Sequence, residues 1–470
     1  MEILHVTAEC YPVAKVGGLG DVAGALPKYQ QKHGHEVKLI MPFYNTKYVS
    51  AHEWETDYTG RTNLGDYFFD FQILKEKNNT LGFALYLVEI TGLLDRPNVY
   101  GYNDDPQRFI AFQICVAEWL RQWHHKPDVV HCHDYHTGLL PFIFKHCYDY
   151  NMLESIPTVL TIHNAEYQGW LSWDRSVWIP RYDVWKTGLL DWKNVINPLA
   201  SGIKNAWAVT AVSPSYMEEL RYNSNGLEDL FEYEKGKCTG ILNGIDSDIW
   251  NAATDSFIQT NYSLTNISKG KQANKNYLCD TFGLDKEKPL FIFIGRLVGE
   301  KAADILPDAI RTILWETKEE ANFLILGSGE ATVEYRLEEI KHSNPKSYNF
   351  YRGYNESLSH QMYAGADFLL MPSRVEPCGL NQMYALRYGT MPLVRRTGGL
   401  KDTVIDIGDG GYGICFSQAN IEDLKHACSR AIEIYHQKKN LLSYRKKMMS
   451  IDNSWDNTVN KYLQLYQRLA

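Results

Sequence analysis

The sequence predicts an α/β protein made of two doubly wound parallel sheets in series, each flanked by helices. Three observations predict it. Short apolar runs alternate with helix-period stretches along the whole chain, the pattern of buried strands joined by helical crossovers. The chain has 470 residues, more than one ordinary core accommodates, so two domains are expected. The apolar runs also fall into two similar series, separated by the turn-rich tetrapeptide Asn243-Gly244-Ile245-Asp246.

In the first series, strands are expected at 3–8, 37–41, 128–132, 158–162 and 208–212. The second of these runs into Pro42, as a strand leaving its sheet does. In the second series they are expected at 290–294, 322–326, 367–371 and 392–394. Residues 323–329 (FLILGSG) read as a strand entering a glycine turn, where backbone can approach a ligand. The polar stretch 251–275 reads as loop and as the entry to the second domain. Residues 455–470 carry apolar groups at helical spacing and are expected to pack back onto the first domain. The expected division is 1–243 with 455–470, and 244–454.

Hydrophobic residues make up 44% of the chain and charged residues 22%, the profile of a globular protein rather than a disordered one. The net charge of −8 argues against a general nucleic-acid binder, though a local basic pocket remains compatible with it. Nine cysteines, an odd number without C-x-x-C or metal spacing, fit free thiols in a reducing compartment. Met1 to Val6 enters a strand with no basic or apolar leader, and no apolar run approaches membrane-spanning length. A cytoplasmic enzyme is expected.

The stretch 372–404 carries the strongest chemical signal. Glu376 and Pro377 precede Cys378, Gly379 and Leu380, which open a helix; a short strand then leads to Arg395, Arg396 and Thr397-Gly398-Gly399. A glycine pair between strand and helix exposes N–H groups that can receive phosphate oxygens. A carboxylate so close to phosphate is repelled by it, and hydrogen bonding to sugar hydroxyls is its natural task. The segment points to a sugar carried on a nucleotide diphosphate.

Other strand ends add to this. Lys15-Val16-Gly17-Gly18-Leu19-Gly20-Asp21 follows the first strand, with a point charge for a diphosphate and glycines for close approach. A dinucleotide fingerprint is the rival reading of Gly18, Gly20 and Gly24. The next strand, however, ends at Met41-Pro42 without the acidic residue a ribose requires. His163 closes the strand at 158–162, and Arg296 and Lys301 follow the strand at 290–294. A forked guanidinium and an ammonium there suit a departing diphosphate. His131-Cys132-His133-Asp134-Tyr135-His136 and Asp246-Ser247-Asp248 invite a metal reading. The first lacks partners at ligand spacing and the second sits in a turn, so no metal is expected at either. The cations, His163, Glu376 and Thr397 all fall at strand ends that two such sheets would turn toward one cleft.

With these motifs in this order, the chain resembles the bacterial glycogen synthases and plant starch synthases, retaining glycosyltransferases of family 5, over nearly its whole length. The resemblance rests on 15–21, 133–139, 161–169, 241–246, Arg296 with Lys301, and 372–404. It implies two Rossmann-like domains facing a cleft, the glycosyltransferase B fold, with the C-terminal helix crossing back to the first domain. It implies transfer of glucose from ADP-glucose to the non-reducing end of an α-1,4-glucan, without a metal or other cofactor. The first domain would be the acceptor side and the second the nucleotide-sugar side.

Residue by residue, the resemblance places Lys15 and Gly18 by the distal phosphate and glucose, with Asp21 nearby. Arg296 and Lys301 would neutralise the diphosphate, and Thr397, Gly398 and Gly399 would donate to its oxygens. Glu376, Cys378, Gly379 and Leu380 would border the glucose. His163 would lie at the anomeric carbon, with its backbone carbonyl helping an oxocarbenium-like state. Asp134 and Asn243 would orient the sugar, and Tyr354 would lie against the adenine. No carboxylate is free to be a nucleophile, so front-face attack assisted by the leaving phosphate is implied.

Ala302-Ala303 stands where the family usually has glycine after the lysine, Asn381 where it has threonine, and Tyr384 where many relatives of this fold carry a second glutamate. The first two departures leave UDP-glucose open as an alternative donor, while the third is common in family 5 and narrows the resemblance to it. A transferase acting on a small acceptor and a non-catalytic glucan-binding subunit are the rival functions.

Overall fold

The computed structural model describes residues 1–470, which form two compact units: Met1–Gly244 with Trp455–Ala470, and Ile245–Ser454. The strands of the first unit are β1 (Glu2–Val6), β2 (Glu36–Pro42), β3 (Trp54–Leu64), β4 (Tyr67–Glu76), β5 (Ala84–Glu89), β6 (Val129–His133), β7 (Thr158–Ile162), β8 (Asp191–Trp192), β9 (Val195–Ile196), β10 (Ala208–Ala211) and β11 (Cys238–Gly240). β8 and β9 make a separate ribbon. The others form one sheet in the order β11-β10-β7-β6-β1-β2-β5-β4-β3. Its central strands pair in parallel, and β6 and β7 are buried throughout, as strands covered on both faces must be.

The succession turns back at β1, whose neighbours are β2 on one side and β6 on the other. Open α/β sheets bind ligands beyond the carboxyl ends of strands at such a reversal. The strand expected at 128–132 runs one residue further, through His133, and Asp134 follows it directly. The hairpin β3–β4 was not expected. It pairs antiparallel at the sheet edge and alternates solvent-facing and inward-facing residues, so it carries no continuous apolar run.

Helix Trp455–Leu469 packs into this unit's core. Trp455, Val459, Tyr462, Leu463 and Tyr466 join Ile3, Val22, Leu26 and Tyr29 in one buried cluster, beside helix Gly18–Lys32. The expected return of 455–470 to the first domain is what the fold shows.

The second unit holds a six-stranded sheet of β12 (Leu290–Leu297), β13 (Asn322–Gly329), β14 (Tyr348–Arg352), β15 (Phe368–Met371), β16 (Met391–Arg395) and β17 (Ile414–Phe416). The order is β14-β13-β12-β15-β16-β17, parallel throughout, with its reversal between β12 and β15. Two expectations need correcting. β12 runs on past Ile294, so that Arg296 pairs with Ser328 inside the sheet rather than on a loop. The glycines of 323–329 also belong to a strand. A Cβ at Gly327 would lie 2.2 Å from the Gly295 carbonyl oxygen, and one at Gly329 2.3 Å from that of Leu297. They serve strand-to-strand contact rather than a ligand.

The loop expected over 251–275 ends early, because helix Ile267–Phe282 begins inside it. Lys271 and Lys275 made that stretch look solvated, yet both are buried. The Lys271 ammonium donates to the carbonyls of Tyr363, Ala364 and Tyr388 at 3.2, 3.1 and 2.9 Å, and to Thr390 Oγ1 at 2.7 Å. Lys275 pairs with Asp367 at 2.8 Å. Buried cations are tolerated when every donor is satisfied. No cysteine is in a disulfide, and no helix is long and apolar enough to cross a membrane.

Candidate active site

In the first unit the groups gather where β1, β6 and β7 end. Lys15 pairs with Asp21 at 2.7 Å. The loop that carries Lys15 is shaped by Glu9, a buried residue the sequence reading passed over. Its Oε2 accepts the N–H groups of Val16 at 2.6 Å and Gly17 at 3.0 Å, and its Oε1 accepts the Tyr100 hydroxyl at 2.7 Å. Burial raises the Glu9 carboxyl above its ordinary pKa, and these three donors work against that rise. The available signal was chemical: an acidic side chain closing a buried strand needs partners. At Gly18, which begins the helix, a Cβ would meet nothing within 4 Å, so no packing demand explains the glycine.

Asp134 and His163 end the two adjoining strands and are coupled. Asp134 Oδ1 accepts the His163 backbone N–H at 2.7 Å. The Asp134 backbone has φ of 56°, a left-handed conformation uncommon outside glycine and asparagine. Asp134 therefore orients the His163 backbone directly. Asn243 is buried, and its side-chain oxygen accepts no hydrogen bond from the chain. A buried acceptor without a donor is costly unless a ligand supplies one.

His5, His131 and His133 bring ring nitrogens within 4.8 Å of one another, a spacing a metal ion could use. All six nitrogens are already within hydrogen-bond distance of partners. His5 reaches Gln30 at 2.7 Å and His133 at 3.1 Å, and His133 reaches His163 at 3.0 Å. His131 reaches Tyr466 at 2.6 Å and Thr161 at 2.5 Å. The donor set is that of a hydrogen-bonded chain, and a metal would have to break it. Asp246 is likewise used locally, its Oδ1 accepting the Asp248 N–H at 3.0 Å in a turn.

In the second unit the reversal between β12 and β15 brings cations and carboxylate together. Lys301 Nζ lies 2.7 and 2.6 Å from the two oxygens of Glu376, and Ser373 Oγ donates to Glu376 Oε2 at 2.8 Å. Arg296 is about half exposed and pairs with Glu300 at 3.1 Å. Ala302, just after Lys301, is fully buried with φ of 52°. Asn381 ties the helix after Glu376 to β12 through the Ile294 carbonyl at 2.7 Å. Cys378 is buried, and Gly379 has φ of 72°. Leu380 caps the following helix. Gln382, a further residue passed over, clamps this turn by donating to the carbonyls of Cys378 at 3.1 Å and Gly379 at 2.8 Å.

Part of the Thr397-Gly398-Gly399 motif is used inside the chain. Gly399 N–H donates to the Glu376 carbonyl at 3.1 Å, and Thr397 N–H to that of Arg395 at 2.9 Å. A Cβ at Gly398 would lie 2.0 Å from the Glu376 carbonyl oxygen, and one at Gly399 2.0 Å from that of Cys378. Both glycines are required by the close approach of the Glu376 turn. Arg395 supports the same turn through the carbonyls of Ser373 and Arg374. Tyr354 is well exposed, at the carboxyl end of the edge strand β14.

Comparison with known proteins fits this arrangement. Residues 2–233 match the family described as starch synthase catalytic domain, and 279–448 match glycosyl transferases group 1. A glycogen synthase of Flavobacterium johnsoniae is 51% identical over 466 residues, 99% of this chain and 98% of the relative. The chain belongs to the glycogen synthase family. A second member, from Thermodesulfovibrio yellowstonii, is 37% identical over all of this chain and 98% of its own. Among solved structures, the catalytic domain of starch synthase IV from Arabidopsis thaliana, bound to ADP and acarbose, is similar at a TM-score of 0.91 and 33% identity, covering 99% of each chain. A sucrose-phosphate synthase from Thermosynechococcus elongatus shares the fold, with a TM-score of 0.64 and 16% identity over 100% of this chain and 98% of its own. Membership of the synthase family fits the two Rossmann-like α/β units and the motifs at their strand ends.

Proposed function

We propose that the chain is a glycogen synthase, transferring glucose from ADP-glucose to the non-reducing end of an α-1,4-glucan with retention of configuration. The observation that carries the reading is the Lys301–Glu376–Ser373 cluster at the strand-order reversal of the second sheet. There the carboxylate takes hexose hydroxyls, while Lys301 and Arg296 stabilise the negative charge that grows on the diphosphate as the glycosidic bond breaks. Tyr354 offers an exposed ring for the base. Lys15 meets the distal phosphate, Asn243 accepts a sugar hydroxyl, and the His163 carbonyl faces the developing oxocarbenium charge. The choice of ADP-glucose is supported by the relative solved with ADP.

Retention follows front-face attack. Glu9 is held by two amides and a tyrosine, Asp134 by the His163 amide, Asp21 by Lys15, and Glu376 by Lys301 and Ser373. Each of these four carboxylates already holds a partner, so none of the four is poised as a nucleophile. The leaving phosphate is then the base that takes the acceptor's proton.

Purified protein with glycogen, ADP-glucose or UDP-glucose, and a chelator present tests the reading. Elongation is expected, faster with ADP-glucose. No elongation with either donor would sink it, and activity restored only by added divalent metal would replace the Arg296–Lys301 role.

The pH dependence gives a finer check. Burial pushes the Asp134 carboxyl up to about 7, against the lowering effect of the His163 and Asn164 N–H groups. Its folded pKa lies above its ordinary 3.8, so the stability it contributes is present below that value and is lost as pH rises through about 7. The ionised carboxylate, in contrast, holds the His163 amide by a charge-assisted bond, about twice as strong as a neutral one. Turnover is expected to rise with pH through this ionisation, and Asp134→Asn to flatten the rise. A pH–rate profile with the same rise in the variant would assign the ionisation to another group.

A further inference from the structure

A chain of hydrogen bonds runs from His163 into the core of the first unit and ends beyond the C-terminal helix. It links His163 Nε2 to His133 Nδ1 at 3.0 Å, His133 Nε2 to His5 Nδ1 at 3.1 Å, and His5 Nε2 to Gln30 Oε1 at 2.7 Å. Gln30 Nε2 then meets the Tyr466 hydroxyl at 3.2 Å, Tyr466 meets His131 Nδ1 at 2.6 Å, and His131 Nε2 meets Thr161 Oγ1 at 2.5 Å. Thr161 closes on Thr210 at 2.6 Å. Below His163 every member is fully excluded from solvent.

The protons in such a chain are not independent. Gln30 Oε1 can only accept, so His5 Nε2 carries a proton. A neutral His5 then has a bare Nδ1, which requires a proton on His133 Nε2. By the same step His133 Nδ1 is bare and His163 Nε2 is protonated. On the other side Gln30 Nε2 donates to Tyr466, so the tyrosine proton goes to His131 Nδ1 and the His131 Nε2 proton to Thr161. Burial supports neutral rings throughout: it lowers His5 to about 4 and His163 to about 3, and holds His131 and His133 well below the usual histidine range. The six bonds from His163 to Thr161 point one way, an arrangement in which each bond polarises the next.

We infer that His133, His5, Gln30 and Tyr466 are positioning residues that lock His163 in one neutral tautomer, protonated on Nε2 with Nδ1 left as an acceptor for a hexose hydroxyl. The inference rests on the reading that His163 borders the transferred sugar. The His163 backbone is fixed by Asp134 and its ring by this chain, so carbonyl and imidazole are set by separate devices. The Gln30 amide is the element that chooses the direction. Turning it over would reverse the three bonds on the His163 side and put the proton on His163 Nδ1.

The test is ring-nitrogen NMR of the full chain labelled with 15N-histidine, with His163→Asn identifying the His163 signals. In the native chain without substrate, a protonated Nε2 and a bare Nδ1 are expected. A protonated Nδ1, or averaging between tautomers, overturns the inference whether or not the chain elongates glucan. Gln30→Met, which removes the amide, is expected to mix the His163 tautomers and lower kcat about tenfold, with the donor KM changed much less. Gln30→Glu keeps an acceptor for His5 and is expected to restore both the spectrum and most of the turnover. If Gln30→Met leaves the His163 signals and kcat as in the native chain, the chain is structural only. A native chain with the expected spectrum but no transfer from any donor would sink the synthase reading and not the tautomer.

Discussion

Glu376→Ala is expected to lower turnover about a thousandfold, the scale of losing a preorganised electrostatic group, while ADP affinity changes only a few-fold. The asymmetry follows from the geometry. The Glu376 carboxylate faces Lys301 and Ser373, while its carbonyl, which the substitution keeps, receives the Gly399 N–H. The backbone of the turn therefore survives, and Arg296, paired with Glu300, keeps its place on the phosphate side. What disappears is the carboxylate proposed to grip the hexose, which also holds Lys301 by two contacts of 2.6–2.7 Å. Glu376→Gln, which keeps the shape without the charge, should fall between. Steady-state turnover beside calorimetric ADP binding separates the two effects, and an equal loss in both would contradict the sugar-side role.

Truncation after Ser454 is expected to unfold the first unit. It removes the buried side chains of Trp455, Val459, Tyr462, Leu463 and Tyr466 from that unit's core. Large-to-small changes at buried aromatics cost about 3–5 kcal/mol each. Three such losses reach about 10 kcal/mol, comparable with the whole stability of a typical domain at about 5–15 kcal/mol. The cut also leaves Gln30 Nε2 and His131 Nδ1 without their partner, Tyr466. Hydrogen exchange should show the amides of β1, β6 and β7 losing protection while those of β12 and β15 keep it. Protection retained in the first group would show that the helix is dispensable.

Much of this was legible because the sheets are parallel and buried. Continuous apolar runs located β1, β2, β6, β7, β10, β12, β13, β15 and β16 to within a few residues. The hairpin β3–β4 was not legible, since an edge strand alternates polar and apolar residues and offers no run. Helix Ile267–Phe282 was missed for the opposite reason: Lys271 and Lys275 read as solvated, and only tertiary partners reveal them as core. At the site, charged groups in motifs could be named from sequence, and Lys301 with Glu376 is one such pair. The support from Gln30 and Tyr466 could not, because the two meet across 436 residues and no local pattern records such a partnership. The glycines at 398 and 399 show the converse, where a motif recognisable in the sequence also meets a packing requirement of the Glu376 turn that the sequence does not record.

The split composition of the first unit bears on how the molecule is made. Tyr466 stands four residues from the end of the described chain, and the unit it completes includes Met1. Chains fold from the N-terminus as they leave the ribosome, so Ile245–Ser454 emerges in full before the helix at Trp455 arrives to finish the unit that started first. Until then Gln30 and His131 wait with unmet hydrogen-bonding groups, beside an open apolar face. A chain cut short before Trp455 therefore carries a finished second unit yet lacks the piece that closes the first core. The helix at Trp455 acts as a completion signal for that unit, written into the structure itself.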